Sequence, residues 1–589
     1  MKEFLKYTLA TLTGIIIASI LFFVTMLATL SAIVAAGSKP VSITDNAVLV
    51  LKAGVMIPDR TSPNPFAGFD PVNMTITPST GLNDILRNIE KAGNDKKIKG
   101  ILIENGLLPS GWATSGEIRD ALIRFRETGK FVIAWADYVM LQQGYYLSTA
   151  ADKIYIGPSA TLEFKGLSGE VMFYKKALDK LGVDVQVTRH GKFKGAVEPY
   201  ILDEMSRENE MQIKEYVGSI WSHIVYEISA ARGITPDRLN QLADRLVANS
   251  APGALENNLV DGLLYRDQLI DSLKILSGLT TTDKIALVPM ARYTRVPDPV
   301  KKTVSKNRIA VIYASGSIVM GKGSENSIGG NQYADVIRKE RLDSAVKAIV
   351  LRVNSPGGSA TASDIIWREL ELAAEKKPVV ISMGNYAASG GYYISAPGTK
   401  ILANPATLTG SIGVFGLLPD ASKLMEQKLG ITTSTVRTNS YSDFPSLFRP
   451  MDLYEKQVMQ DNIEQIYTDF ITKVASGRKM SVEAVDNIGE GRVYAGSQAE
   501  KIGLVDVFGG LGDAVKEAAQ LAGLENYTLR ELPVLEDPYT RILSQLGGDI
   551  RSRILNKELG AMAKILEEIR DIQNISGIQA RMPYSIEIR

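Results

Sequence analysis

An internal repeat constrains the fold of this chain more than any other feature. The segment "NAVLVLKAGVMIPD" from Asn46 resembles "NRIAVIYASGSIVMG" from Asn307, and "DKKIKGILIENGLLPSGWATSGEIRDALIRFRETGKFVIAW" from Asp95 resembles "DSAVKAIVLRVNSPGGSATASDIIWRELELAAEKKPVVISM" from Asp343. Two shorter matches follow, "QGYYLSTAADKIYIGPSATL" with "GGYYISAPGTKILANPATL" and "NNLVDGL" with "IGLVDVF". The offset stays near roughly 245 residues, and similarity that keeps its register over such a length indicates a duplicated unit.

Each copy alternates short apolar runs with amphipathic stretches. "KAIVLRV" and "PVVISM" are near-continuous apolar runs, as expected of strands buried on both faces of a parallel sheet. "SDIIWRELELAAEKK" has apolar residues at helical spacing and a basic end. The alternation predicts an α/β fold built from βαβ units and present twice.

The repeat and its flanks set the predicted domain boundaries. We expect an N-terminal anchor over 1–40, a first repeat over 41–293, a linker rich in Pro and Lys over 294–306, a second repeat over 307–530 and a C-terminal tail over 531–589. The tail contains "NKELGAMAKILEEIRDIQN", which predicts an amphipathic helix used in packing or in subunit contacts rather than at a membrane.

The N-terminal segment predicts a membrane anchor. No charge interrupts the chain from Tyr7 to Gly37, whereas Lys2 and Lys6 precede that run. About 20 apolar residues span a bilayer as a helix, and the core of a cleaved signal peptide is only ~7–15 residues long. By the positive-inside rule the short N-terminus stays cytoplasmic, and the chain beyond Lys39 lies across the membrane. The small residues of "IVAAG" leave a cleaved signal peptide as the alternative.

Composition excludes several classes of function. The chain has 589 residues and a formal charge of +1, so no overall charge favours nucleic acid as a partner. It has no cysteine, which excludes a disulfide scaffold, a thiol nucleophile and thiolate metal sites. It has 2 histidines, His190 and His223, which are not grouped with carboxylates. The sequence therefore predicts no metal site and no cofactor.

The two copies differ where chemistry would be expected. In the second copy, "LTGSIGVFG" sets Ser411 between glycines, a context that leaves a hydroxyl uncovered. The aligned first-copy segment "LEFKGLSGE" has Lys165 near that position. Conversely, "VTRHGKFKGAVEPY" in the first copy holds Lys192 and Lys194, opposite which the second copy has only hydroxyls. The halves are complementary, and each carries what the other lacks.

A lysine can take the place of histidine as the base for a serine. Its free pKa is near ~10.4, and burial or a cationic neighbour lowers that pKa. Ser–Lys pairs are known variants of the Ser-His-Asp arrangement. The reaction would be acyl transfer, in which backbone N–H groups hold the oxyanion. "NSPGGSA" offers Gly357 and Gly358 for that purpose, and the N–H of Ile412 is a second candidate donor.

The chain resembles signal peptide peptidase A, or protease IV, in its long, tandem, membrane-anchored bacterial form. The resemblance covers nearly the whole chain and is carried by "NSPGGSATASD", "YAASGGYYISAP", "LTGSIGVFG" and "GKFKGAVEP". It implies a Ser–Lys serine protease with a crotonase-like fold, related in architecture to the caseinolytic protease. It also implies a bowl-shaped homotetramer in the bacterial inner membrane, with its catalytic part outside the cytoplasm. The implied substrates are apolar peptides, chiefly signal peptide remnants.

The resemblance also implies roles for individual residues. Ser411 matches the nucleophile, and Lys194, rather than Lys192, matches the general base. A hydroxyl that orients the lysine is expected beyond the nucleophile loop, where "ITTST" offers Thr432, Thr433 and Ser434.

Other residues receive structural interpretations. Ser389 in "AASGGYY" also has the setting of an exposed nucleophile. The first copy has "MLQQGYY" there, and we interpret Ser389 as packing at a helix start. His190 is expected to be an ordinary polar neighbour, and Glu198 to pair with Lys192 or with an arginine.

Two other functions compete with proteolysis. A crotonase-type enzyme acting on acyl-CoA would share the glycine turns, but a membrane anchor and a Ser–Lys pair fit it poorly. A membrane scaffold without activity would have no need to retain Ser411, Lys194 and the glycine loop. A serine-reactive probe distinguishes the scaffold from the protease.

Overall fold

A computed structural model describes most of the chain. The residues described are 4, 6–8, 10–19, 21, 25, 41–53, 56–62, 69–70, 75–76, 80–106, 111–300, 305–324, 326–535, 577–582 and 587–588. Within them, no helix combines the length and the apolar character needed to cross a bilayer. Most of the predicted anchor over 1–40 and the predicted tail helix lie outside the described residues.

The first repeat is a parallel sheet with helices. Its strands are β1 Ala47–Ala53, β2 Phe69–Asp70, β3 Thr75–Ile76, β4 Ile98–Asn105, β5 Phe131–Ala136, β6 Val139–Met140, β7 Lys153–Ile156, β8 Thr161–Leu162, β9 Gly169–Glu170, β10 Asp184–Arg189, β11 Gly262–Leu263 and β12 Leu287–Pro289. The main sheet has the order β11-β7-β5-β4-β1-β12. Its helices are Leu82–Asn94, Trp112–Arg126, Gln142–Ser148, Lys175–Leu181, Glu198–Ile201, Arg207–Arg232, Pro236–Asp244, Ala251–Glu256, Arg266–Leu276 and Met290–Tyr293.

The second repeat has the same plan. Its strands are β13 Arg308–Ser315, β14 Ser317–Val319, β15 Ser327–Gly329, β16 Val346–Ser355, β17 Gly357–Ser359, β18 Val379–Ala388, β19 Lys400–Ala403, β20 Leu408–Gly410, β21 Phe415–Asp420, β22 Val493–Ala495, β23 Val507–Phe508 and β24 Thr528–Leu532. The main sheet has the order β22-β20-β18-β16-β13-β24. Its helices are Gly330–Leu342, Ala360–Ala374, Gly390–Ser395, Leu453–Arg478, Val482–Ile488, Gly496–Lys501 and Leu511–Leu521.

Apolar runs form the central strands, as the hydrophobic pattern predicts. In β16 the buried residues run almost without interruption from Val346 to Val353, and in β18 from Val379 to Gly384. Helices cover such sheets on both faces, so these strands lose water on both sides. The result is a mixed α/β fold in which the βαβ unit occurs twice.

A third sheet joins the two repeats. Its order is β10-β21-β25-β17-β14-β15. The edge strand β10 of the first repeat pairs antiparallel with β21 of the second repeat. Strand β25, Gly577–Arg581, comes from the C-terminal tail and pairs with both β21 and β17. A short strand β26, Glu587–Ile588, then pairs with β9 of the first repeat. The sequence analysis had placed only a helix in this tail, so these strands are a finding of the structure.

A buried ion pair also bridges the repeats. Arg352 of β16 is fully buried, and its guanidinium lies 2.8 Å from the carboxylate of Asp59 and 2.6 Å from that of Glu117, both in the first repeat. Asp59 also accepts a hydrogen bond from Asn354, which precedes β17. Because a buried charge is costly without its partner, this network opposes separation of the two repeats.

Candidate active site

The sheet that joins the repeats brings the two complementary loops together. Arg189, at the end of β10, pairs with Phe415, at the start of β21. The loop that carries Lys194 follows β10, and the loop that carries Ser411 precedes β21. Because antiparallel strands place the end of one beside the start of the other, both loops meet at one edge of the sheet.

The amine of Lys194 contacts two serines. Its Nζ lies 2.8 Å from Oγ of Ser389, 3.0 Å from Oγ of Ser411 and 3.0 Å from the carbonyl oxygen of Ser411. All three residues are fully buried. These distances are within the range over which a general base can take a proton, and the contacts alone do not choose between the two hydroxyls.

Burial controls the protonation of this lysine. Loss of water around the amine holds the pKa of Lys194 well below its usual value, and among the residues that the structure describes no neighbouring carboxylate counteracts that effect. A neutral amine has a lone pair that can accept a proton, whereas an ammonium group has only donors. The site thus favours the protonation state that a general base requires.

Ser389 is a member of the site that the sequence analysis missed. Its expected role, packing at the start of a helix, is incomplete, because its Oγ makes the shortest contact of the Lys194 amine. Ser389 links β18 to the helix Gly390–Ser395 with a φ of 55°, and Ser411 has a φ of 51°, both in a region that residues other than glycine rarely adopt. Of the two, Ser389 is the one placed between a strand and a helix. A strained turn between a strand and a helix is the form in which many hydrolases present a nucleophile. The first copy has Gln142 at the aligned position, so the asymmetry between copies was the available signal.

The C-terminal segment Gly577–Met582 lies beside these serines as an extended strand. Gly358 of β17 pairs with Ala580 on one side, and Phe415 of β21 pairs with Gln579 on the other. The N–H of Met582 donates to the carbonyl of Pro356 at 2.6 Å. Ala580 and Met582 are buried, so the cleft encloses alternate side chains of this strand.

The carbonyl of Ala580 points to the helix that Ser389 begins. A Cβ placed on Gly390 would lie 2.9 Å from this carbonyl oxygen, and one placed on Gly357 would lie only 2.2 Å from it. A Cβ placed on Gly357 would also lie 2.7 Å from the amide nitrogen of Gly390. With a φ of 99°, Gly357 both adopts the turn and leaves the space that the carbonyl oxygen occupies.

The three candidate oxyanion donors have different surroundings in the structure. Gly357 and Gly358 lie in β17 against the C-terminal segment. Ile412 has its side chain in the core of the second repeat, and its carbonyl accepts a hydrogen bond from the N–H of Gly491. Gly390, which the sequence analysis did not consider, is the residue that lies with Gly357 at the carbonyl.

The lysine-orienting hydroxyls expected at Thr433 and Ser434 are not at the site. Both residues, like Thr432, are exposed on the segment that follows β21, whereas Lys194 is fully buried. That expectation was wrong, because a spacing along the chain cannot tell which way a loop without regular structure turns. In the described part of the chain, the hydroxyls that contact the amine of Lys194 belong to Ser389 and Ser411.

The remaining polar residues near the lysine loop have structural partners. Lys192 is exposed and forms an ion pair with Glu490 at 2.9 Å. His190 stacks on Tyr467 and contacts Glu464 at 2.6 Å.

Glu198 is buried, and its nearest cation is that of Arg189 at 3.8 Å. It also accepts hydrogen bonds from Ser206 and Asn209. Of the two partners left open by the sequence, the arginine is therefore the one found, and Lys192 pairs elsewhere.

Comparison with known proteins identifies the family of this site. The family model for peptidase family S49 matches residues 124–280 and again residues 371–525. Protease 4 of Haemophilus influenzae is 37% identical over 448 residues, 74% of this chain and 72% of that protein. Protease 4 of Salmonella typhi is 36% identical over 80% of this chain and 77% of that protein. The chloroplastic serine protease SPPA of Arabidopsis thaliana is 31% identical over 85% of this chain and 74% of that protein.

Proposed function

Because the chain belongs to peptidase family S49 and is a serine peptidase, we propose that Ser389 is its nucleophile and Lys194 its general base. In this proposal Ser411, which the sequence analysis had assigned as nucleophile, holds the amine of Lys194 through its hydroxyl and its carbonyl. The observation that carries the proposal is the position of the Ala580 carbonyl, which lies at Gly390, the residue directly after Ser389.

The C-terminal segment supports a mode of peptide binding. A substrate would add as an antiparallel strand between Gly357–Ser359 and Phe415–Leu417, as Gly577–Arg581 does. Main-chain hydrogen bonds give affinity in such strand addition, and pockets for alternate side chains give specificity. The enclosed positions of Ala580 and Met582 favour a small side chain next to the scissile bond and an apolar one two residues further along.

The reaction follows from these positions. The Oγ of Ser389 attacks the peptide carbonyl while its proton passes to Nζ of Lys194, and the carbonyl oxygen becomes an oxyanion. The backbone N–H groups of Gly390 and Gly358 are the candidate donors to this oxyanion, because the N–H of Gly357 donates to Oγ of Ser355 at 3.1 Å. The intermediate collapses as Lys194 returns the proton to the leaving amine. Water then attacks the acyl-enzyme with Lys194 again as base, which releases the acid and restores Ser389.

The cellular setting is part of the same proposal. We infer that residues 7–37 anchor the chain in the bacterial inner membrane, with the catalytic repeats outside the cytoplasm, because that run is uncharged and follows Lys2 and Lys6. Apolar remnants of signal peptides are the substrates that suit an enzyme placed there. The homotetramer follows from the resemblance to signal peptide peptidase A.

One experiment tests the assignment of the nucleophile. A fluorophosphonate probe is added to protein lacking residues 1–40, and the labelled serine is identified by mass spectrometry. We expect the label on Ser389, loss of labelling and of apolar peptide cleavage in Ser389→Ala and Lys194→Ala, and both retained in Lys192→Ala. A label on Ser411 that survives Ser389→Ala would overturn the assignment and restore Ser411 as nucleophile.

A further inference from the structure

A short turn, Gly489–Arg492, lies between the two catalytic loops and is not itself part of the dyad. On one side it holds the loop of Ser411. The N–H of Ser411 donates to the carbonyl of Arg492 at 2.7 Å, and the N–H of Gly491 donates to the carbonyl of Ile412 at 2.7 Å. The backbone on both sides of the Ser411 side chain is therefore bonded to this turn.

On its other side the same turn contacts the lysine loop. The N–H of Phe193 donates to the carbonyl of Glu490 at 3.0 Å. A Cβ placed on Gly491 would lie 2.7 Å from Cβ and 2.8 Å from Cα of Lys194. Real Cβ atoms do not approach other atoms so closely, so the backbone of Lys194 rests directly on Gly491.

The turn is held in a conformation that it would not adopt alone. Glu490 has a φ of 51° and Gly491 a φ of 80°, two successive residues in the left-handed region. The hydroxyl of Tyr467 accepts a hydrogen bond from the N–H of Glu490 at 3.3 Å and donates to Asp486 at 2.6 Å. Glycine adopts this region without strain, whereas a residue such as Glu490 persists there only when its surroundings fix it, and such residues concentrate at functional sites.

We propose that the turn Gly489–Arg492 is a positioning element of the reaction, which sets the approach of Lys194 to Ser389 and Ser411 by contacting both loops at once. The proposal rests on the proposed function, because it assumes that the amine of Lys194 takes the proton. Gly491 is the residue on which it depends, since any side chain there would push the lysine backbone away from the serines.

The test compares two glycine-to-alanine variants of the full-length protein, purified in detergent. Gly491→Ala should lower kcat about tenfold to a hundredfold with little change in KM, since a shift of about 1 Å can cost a hundredfold in rate. Displacement would also admit water to Lys194 and raise its pKa toward the usual value, so the acid limb of the pH–rate profile should move to higher pH. Gly503→Ala is the matched control. Its φ is 79°, so the backbone strain is the same, but its nearest atom, Sδ of Met480, is 3.9 Å away.

A second variant weakens the turn without adding bulk. Tyr467→Phe removes the hydroxyl bonded to Glu490 and Asp486 while keeping the ring, and we expect a several-fold loss of kcat with the same direction of shift in the acid limb. The two variants are assayed with wild type and Gly503→Ala, and folding is checked by circular dichroism. If wild type does not cleave peptides, the proposed function fails. If wild type cleaves and both folded variants keep its kcat and the acid limb of its pH–rate profile, the positioning role is refuted. If Gly491→Ala does not fold, the result for Tyr467→Phe alone decides.

Discussion

Replacing Lys194 by methionine should make the protein inactive and also change how its stability depends on pH. The amine is fully buried and its pKa is held well below the usual value by loss of water. In the unfolded chain the same lysine has a pKa near ~10.4 and carries a proton at neutral pH. At a pH between the two pKa values, unfolding of the wild type therefore takes up a proton, and unfolding of Lys194→Met does not take up that proton.

The uptake of this proton on unfolding determines the sign and the size of the change in stability with pH. Stability rises with pH wherever the unfolded state binds more protons, with a slope of about 1.4 kcal/mol per pH unit for one group. For Lys194 this pH range extends from the lowered pKa of the folded protein up to the pKa of the unfolded chain, ~10.4. The free energy of unfolding of wild type should thus rise relative to that of Lys194→Met throughout this window. At each pH inside this window the difference between the two proteins should change by about 1.4 kcal/mol per pH unit.

The measurement is urea unfolding followed by tryptophan fluorescence at several pH values. The titrations that the two proteins share cancel in the difference between their free energies of unfolding. The hydrogen bonds lost with the amine shift this difference by an amount that does not depend on pH. Lys192→Met is the control, because that side chain is 60% exposed and its loss should give no comparable slope. A difference that stays constant with pH would mean that Lys194 keeps its proton when folded, and it could then not act as the base.

Three further predictions concern the site and its support. Ser411→Ala should lower kcat by about tenfold to a hundredfold, with probe labelling of the nucleophile retained. The amine of Lys194 becomes an ammonium group as it takes the proton, and one hydrogen bond to a charged group is worth about 1.5–3 kcal/mol. A loss as complete as that of Lys194→Ala would contradict a supporting role. Ala580→Arg should raise kcat/KM for a short peptide, because the buried site of Ala580 cannot hold an arginine and the cleft would be vacated; each 1.4 kcal/mol of weakened binding corresponds to about tenfold, and an unchanged kcat/KM would show that the segment does not compete with substrate. Arg352→Met should destabilise the protein by about 3–5 kcal/mol, because it leaves the carboxylates of Asp59 and Glu117 buried without their cation; a thermal melt with an unchanged midpoint would refute this.

Much of the fold could be predicted because it depends on local pattern. The runs that became β16 and β18 are apolar along nearly their whole length, and such runs form buried parallel strands in almost any α/β context. The duplication supports each of these predictions twice, because a pattern in one copy recurs in the other. The copy asymmetry likewise indicated Lys194, which the first copy has and the second lacks.

The choice between serines could not be made in this way. Ser389 and Ser411 both lack a serine opposite them in the first copy, and both stand among small residues. A hydroxyl in "AASGGYY" is as typical of packing as of catalysis, so the sequence offered no reason to prefer it. Its 2.8 Å contact with Lys194 and the nearby carbonyl of Ala580 exist only in three dimensions.

By itself, the sequence determined that this chain is two α/β repeats with a lysine in one and serines in the other, because hydrophobic periodicity and residue identity are properties of short segments. Only the tertiary structure decided that β10 pairs with β21 and that the strand Gly577–Arg581 lies against the glycine turn. The physical reason is that strands pair through backbone N–H and C=O groups, which every residue except proline carries in full. Side-chain patterns therefore mark a segment as a strand but do not name its partner, and here the partners form the site.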